Sequence, residues 1–484
     1  DYWEEYQKMM EETKLLDDYL EEECPRNYDD GEEEAEWLRI AGLGQLTEAW
    51  KAGREVQPDE LGAALRPLSR AQAEAVKRRV RSLNHTVKHR FNQRQRVRKP
   101  DIRDVFKDVE SNTTVPNFVS VFEQVPNECK ERVRRTPSAP SSTIDTVVEQ
   151  SVTSLPVQEI FRRAGNWLRG DVANDSGEAI EKLNTSKDST LRQVIAPPDD
   201  VQTRLGIEML TQRDLTKLQP LLWLELTAVF DKYNVPLKKR KPNKRRTKAG
   251  NLFGVSLSTL LLRDSQLSSE ESNIPLVFQK LFNELTRRGV KEEGILRVGG
   301  HKQKVESICM QLETDFYCKP KEMDKLFKHM SCHDLSAVLK KLLRDLPQPL
   351  LTVELIDAFY QSHGVKDHQE LSYALNLLVL LLPIEHRCTL KALVKFLKLI
   401  VENQASNKMS IHNVAMIVAP SLFPPRYIHS RDRTDLCAQV NMAAICCQVT
   451  EALLINANKL WYVPNDLLNQ LRRHSEEERY RNKR

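Results

Sequence analysis

From Phe253 to about Tyr462, apolar residues recur at helical spacing in one segment after another, and no strand-length alternating run competes with them. The spacing predicts helices at about 274–287, 302–313, 334–345, 353–360, 369–382, 389–403, 411–418 and 442–457. Together they predict an all-α domain over residues 251–462. The clearest segment begins with Ser331 and Asp334, a Ser-x-x-Asp capping pattern. Leu335, Val338, Leu339, Leu342 and Leu346 fall on one face. At about 100° per residue, Lys340 and Arg344 lie roughly opposite that face and are expected to project together from the exposed side. Pro347 and Pro349 then force an extended exit.

The pattern upstream is sparser. Residues 1–23 read as an acidic helix, and Ala35–Leu46 as a short one whose Trp37 and Leu38 could dock elsewhere. Ser69–Phe91 reads as a helix capped by Ser69. Its apolar stripe of Ala73, Val76, Val80, Leu83 and Val87 is narrow enough that the helix needs a packing partner. Pro220–Tyr233 reads as a helix with Pro220 at its first position, packing on the domain downstream of it. The expected organisation is a partly helical, partly disordered region at 1–130, a mostly disordered linker at 131–191, a helix plus basic linker at 192–250, the all-α domain at 251–462, and a charged tail at 463–484.

Charge sharpens this division. The net charge of +5 conceals segregation, with 16 acidic against 3 basic side chains in residues 1–36 and basic runs at Lys77–Lys99 and Lys238–Lys248. The Pro/Ser-rich stretch at 131–142 has no periodicity, as a linker does not. In it, Arg135, Ser138 and Pro140 have the spacing favoured by basophilic kinases and phosphoserine-binding adaptors. Ser138 is therefore a candidate phosphosite. The run Lys238–Arg246 reads first as a solvated linker and second as a nuclear import or anionic-lipid signal. No groove-reading motif accompanies it, so no nucleic-acid partner is expected. Nine scattered cysteines without a CxxC pair fit reduced thiols, with no zinc module or disulfide framework. Cys318, Cys332 and His333 match no metal spacing. No signal peptide opens the chain and no apolar stretch reaches the ~20 residues of a membrane span. The expected location is cytoplasmic, with a nuclear or membrane-peripheral pool through Lys238–Arg246. No phosphate-binding Gly-x-x-x-x-Gly-Lys loop occurs, so the chain is not expected to hydrolyse a nucleotide itself.

One loop stands out against this background. Arg297 lies in Glu293-Gly294-Ile295-Leu296-Arg297-Val298-Gly299, where glycines leave an arginine free to reach outward. Five motifs occur in fixed order: Phe253-Gly254-Val255, Ile274-Pro275-Leu276, the Arg297 loop, Leu339-Lys340-x-x-Leu343-Arg344-x-Leu346-Pro347-x-Pro349-Leu350, and Asn413-Val414-Ala415-x-x-x-Ala419-Pro420-x-Leu422. Over Phe253–Asn456 the chain closely resembles the catalytic domain of Rho-family GTPase-activating proteins. Its upstream Trp3, Trp37 and Leu38 pieces look like one subfamily of larger members.

The resemblance implies a GTPase activator rather than a self-contained enzyme. The partner is a GTP-bound Rho-family small GTPase, with Rho expected over Rac by analogy, and no cofactor is needed. Arg297 would be an arginine finger supplied in trans, a device worth about 10³–10⁵ in rate. Lys340 and Arg344 match the paired basic residues that face the GTPase, and Asn413 matches an asparagine that contacts the finger or switch region. Two departures stand out: Ser421 replaces a common asparagine and Gln348 a frequent glutamate. A weakened interface at Ser421 would favour the alternative, a non-catalytic adaptor for active Rho-family GTPases.

Overall fold

The computed structural model describes residues 31–96, 205–237, 240, 250–267, 272–428 and 436–482. The chain divides into two units, and all of these residues lie in the one made of Asp1–Arg96 and Thr203–Arg484. The expected helix at 1–23, the linker at 131–191 with Ser138, and all of Lys238–Arg246 except Arg240 lie outside the described residues.

The fold is all-α. In chain order the helices are α1 (Glu32–Ile40), α2 (Gln45–Lys51), α3 (Pro58–Leu65), α4 (Arg70–Arg96), α5 (Gln212–Lys232), α6 (Leu257–Asp264), α7 (Leu276–Glu284), α8 (Lys302–Asp315), α9 (Pro320–His329), α10 (Cys332–Asp345), α11 (Ile356–Gln361), α12 (His368–Leu381), α13 (Ile384–Glu402), α14 (Gln404–Asn407), α15 (Ile411–Leu422), α16 (Leu436–Ile455) and α17 (Asn465–Asn482). Among the described residues there is no sheet, and one isolated antiparallel bridge joins Gly206 to Tyr462.

Several boundaries differ from the periodicity. The single helix expected over Ala35–Leu46 is two, α1 and α2. Gly42, at φ +75°, supplies the left-handed turn between them. Pro220 does not start its helix. Thr211 caps α5 nine residues earlier by accepting from the Asp214 amide, and Pro220 is accommodated inside. The charged tail expected at 463–484 contains α17, because Leu467, Leu468 and Leu471 are buried under an otherwise charged surface. Helix α16 is long and apolar enough by composition to cross a membrane, but it packs against α15, α13 and α11 as a core helix.

Helix α5 ties the N-terminal helices to the rest. It packs against α4, α12 and α17. The buried Trp37 Nε1 donates to Thr227 Oγ1 at 3.1 Å, and the Arg79 guanidinium stacks 4.8 Å from the Trp37 ring centroid. Arg79 also forms a forked ion pair with Asp231, with Nη2 2.8 Å from Oδ1. Gln72 Nε2 donates to Glu225 at 2.8 Å and to Gln470 Oε1 at 3.3 Å. Val76, Val80 and Leu83 of α4 are buried in this contact. The partner that the narrow stripe of α4 requires is therefore in the same chain.

The entry to the C-terminal bundle is held by a residue that periodicity leaves unmarked. Glu313, near the end of α8, accepts from the amides of Asn251, Leu252 and Phe253, the latter two at 3.0 and 2.9 Å. Three successive amides on one carboxylate fix the chain just before α6.

Candidate functional site

The Arg297 loop runs from the end of α7 to the start of α8. Helix α7 finishes in a π-turn, Leu285–Gly289. Arg288 folds back from that turn, with Nη2 donating to the carbonyls of Phe327 and Met330 at 3.0 Å each. The chain then tightens through two left-handed residues. Gly294 sits at φ +67° and Leu296 at φ +71°. A Cβ on Gly294 would meet Val298 Cγ2 at 2.7 Å, so only glycine fits the close approach. Leu296 holds a conformation that costs a branched residue of order 1–3 kcal/mol, and its side chain is fully buried, which offsets the strain. Ile295 and Leu296 thus point into the core, while Arg297 and Val298 stand out in solvent. Among the described residues, no hydrogen bond or ion pair engages the Arg297 guanidinium.

The loop backbone is fixed at several points. The Val298 amide closes a turn onto the Gly294 carbonyl at 2.8 Å. The Gly294 amide donates to the Asn407 carbonyl at 2.8 Å. Lys340 Nζ donates to the Leu296 carbonyl at 3.0 Å. At the far end, Asp334 Oδ2 lies 2.7 Å from Lys304 Nζ. Burial acts against the Asp334 carboxylate, but hydrogen bonds from Lys304 and Ser331, the Lys304 charge and the His301 backbone outweigh it. Its pKa is held below the ordinary carboxylate range.

Lys340 corrects one expectation. The helical wheel places it opposite the apolar stripe of α10, yet it is only 7% exposed. The Arg297 loop lies across that face of α10, so the ammonium is buried against loop backbone rather than projecting with Arg344. Arg344 is half-buried, one turn further on. Its carbonyl and that of Leu346 both accept from Arg426 Nη2, at 2.9 and 2.6 Å. Tyr427 Oη donates to the Pro347 carbonyl at 2.8 Å. The exit from α10 is thereby bound to the segment after α15. Asn413 sits in the first turn of α15, its amide donating to the N-cap Ser410 Oγ at 3.2 Å, and its side chain is half-buried. Helices α10 and α15 pack directly together, so Lys340, Arg344 and Asn413 are carried by one packed pair.

Ser421 is also relocated. It is 1% exposed, and its Oγ has no hydrogen-bond partner. It lies on the core-facing side of α15, so the sequence departure at this position does not alter the outer surface. The Ser331–Asp334 cap forms as expected, with the Asp334 amide donating to Ser331 Oγ at 3.1 Å.

Two structural residues were missed by sequence reasoning. Asn407 ends a four-residue helix in Ala405-Ser406-Asn407-Lys408, which reads as an ordinary polar turn. Arg426 sits in a Pro-rich stretch without periodicity. Among the described residues no group of three metal-ligating side chains forms, and Cys332 is buried while Cys318 is exposed.

Two family models match this chain. The RhoGAP domain family matches residues 275–427. The N-terminal SAM domain of Rho GTPase-activating protein 18-like proteins matches residues 16–91, a domain that sequence reading resolved only into separate helices. The Rho GTPase-activating protein conundrum of Drosophila melanogaster is 36% identical over 96% of this chain and 89% of its own length. Human Rho GTPase-activating protein 18 is 33% identical over 100% of this chain and 71% of its own. Human Rho GTPase-activating protein 28 is 29% identical over 93% and 66%. The chain belongs to the Rho GTPase-activating protein family.

Proposed function

We propose that this protein accelerates GTP hydrolysis by a Rho-family small GTPase in its GTP-bound state, with Arg297 inserted in trans as an arginine finger. The observation that carries this reading is the contrast within the loop. The backbone leading into Arg297 is hydrogen-bonded to Asn407 at Gly294 and to Lys340 at Leu296, and the Val298 amide after it returns to the Gly294 carbonyl, while its guanidinium is in solvent with no described partner. A cation held out by a rigid support loses little freedom when it enters a partner's site. There it can neutralise charge developing on the transferring phosphoryl group.

The GTPase supplies its own phosphate loop, Mg²⁺ and water-orienting residue, and this chain supplies charge and order. Arg344 and Asn413 lie on the α10–α15 pair that would face the switch regions. Lys340 acts one step back, through the Leu296 carbonyl. We further propose, by analogy with the relatives' family, that Rho is preferred over Rac. A cytoplasmic location with a membrane-peripheral or nuclear pool through Lys238–Arg246, and recognition of phosphorylated Ser138 by a phosphoserine-binding adaptor, complete the reading.

The test is single-turnover hydrolysis by purified Rho, Rac and related GTPases with the full chain added. Acceleration of Rho above Rac is expected. Binding to the GTP-loaded proteins without acceleration would replace the activator by an adaptor.

A further inference from the structure

Asn407 is fully buried, and each of its side-chain polar atoms is used. Nδ2 donates to the carbonyl of Val290 and to that of Ile400, each at 2.7 Å. Oδ1 accepts from the Met409 amide at 2.8 Å. The backbone carbonyl of the same residue accepts from the Gly294 amide at 2.8 Å. One residue thus bonds the end of α13, the start of the Arg297 loop at Val290, and the loop's tightest point at Gly294.

The next residue, Lys408, is left-handed at φ 59°, which turns the chain away and fixes the Asn407 carbonyl's direction. From Gly294 the linkage to Arg297 is short. The Val298 amide returns to the Gly294 carbonyl, and Arg297 lies inside that turn. If the loop shifted relative to Asn407, the Val290 and Asn407 carbonyls and the Gly294 amide would lose partners together. A carboxamide is the group that can supply two donors and one acceptor there, whereas a carboxylate offers no donor and a hydroxyl only one.

We propose that Asn407 is a positioning residue for Arg297. It touches neither nucleotide nor GTPase, and it sets where the guanidinium stands by anchoring Val290 and Gly294 to the end of α13. This rests on the arginine-finger reading above. A group that acts only by positioning should leave ground-state association intact and weaken the transition state, since a displacement of about 1 Å can cost about 10²-fold in rate.

The test compares two affinities of the full chain for Rho. One is for Rho loaded with a non-hydrolysable GTP analogue. The other is for Rho loaded with GDP and aluminium fluoride, whose group mimics the transferring phosphoryl. Asn407→Asp is expected to keep the first affinity within about threefold, and to lose about tenfold or more of the second and of the saturating hydrolysis rate. Equal loss of both affinities, or loss of neither, overturns the proposal. Asn407→Ser repeats the comparison where Asn407→Asp does not fold. In the unsubstituted chain, the Gly294 amide is expected to exchange hydrogen as slowly as core helix amides, and exchange at the rate of an open loop also overturns it. Arg297→Ala run in parallel separates the two levels. If that variant keeps full aluminium-fluoride affinity and rate, the finger reading itself has failed.

Discussion

Lys340 Nζ lies 3.0 Å from the carbonyl oxygen of Leu296, the residue immediately before Arg297. The bond joins a helix to the loop it supports, and it is buried. Lys340→Met keeps the aliphatic stem and removes the donor, leaving the Leu296 carbonyl without its partner. The expected cost is about 1–3 kcal/mol in chemical denaturation, with a loss of saturating GTPase acceleration. An unchanged denaturation midpoint together with unchanged acceleration would show that the bond does not support the loop.

Asp334 gives the far end of the loop a pH dependence. Its pKa is below the ordinary carboxylate value of about 3.9, so the carboxylate contributes stability that is present above that value and lost as pH falls through its folded pKa. Asp334→Asn is expected to lower the melting temperature at pH 7. The gap to the parent chain should narrow as pH falls from the ordinary carboxylate value through the folded pKa of Asp334. A gap that stays constant across that range would mean the ionised form contributes nothing.

The hydrogen bond between Trp37 and Thr227 joins helices that are 190 residues apart in sequence. With Arg79–Asp231 and Gln72–Glu225, it binds the N-terminal helices to α5, which also packs against α12 and α17. Trp37→Ala is expected to cost about 3–5 kcal/mol, and the loss should appear in the unfolding of the C-terminal bundle as well as of the N-terminal helices. Two separated transitions, with only the N-terminal one shifted, would contradict this coupling.

The sequence and the structure part company at particular residues. The Arg297 loop was legible because its glycines mark tight backbone and Gly294 does adopt a left-handed turn. The apolar stripe of α10 was legible because periodicity reports which face is oily. It does not report which face is covered, and a loop backbone covers Lys340 without any apolar signal. Asn407 was illegible for a related reason. Its role lies in hydrogen bonds to residues 113 and 117 positions away at Gly294 and Val290, and a lone asparagine before a turn has the same local pattern whether or not such bonds form. Helix α17 was hidden by its charges, since three buried leucines suffice to dock it. Pro220 was read by its most frequent helical position, but Thr211 supplies a better cap and the apolar face extends back to Leu215 and Leu218.

The action of Arg297 in a partner's site is tested most directly by single-turnover GTP hydrolysis on Rho at saturating concentrations of the full chain and of its Arg297→Ala variant. The variant is expected to bind GTP-loaded Rho with near-parental affinity and to lose about 10³-fold or more of the acceleration. An Arg297→Ala chain that accelerates hydrolysis as fully as the parent would contradict the arginine-finger role.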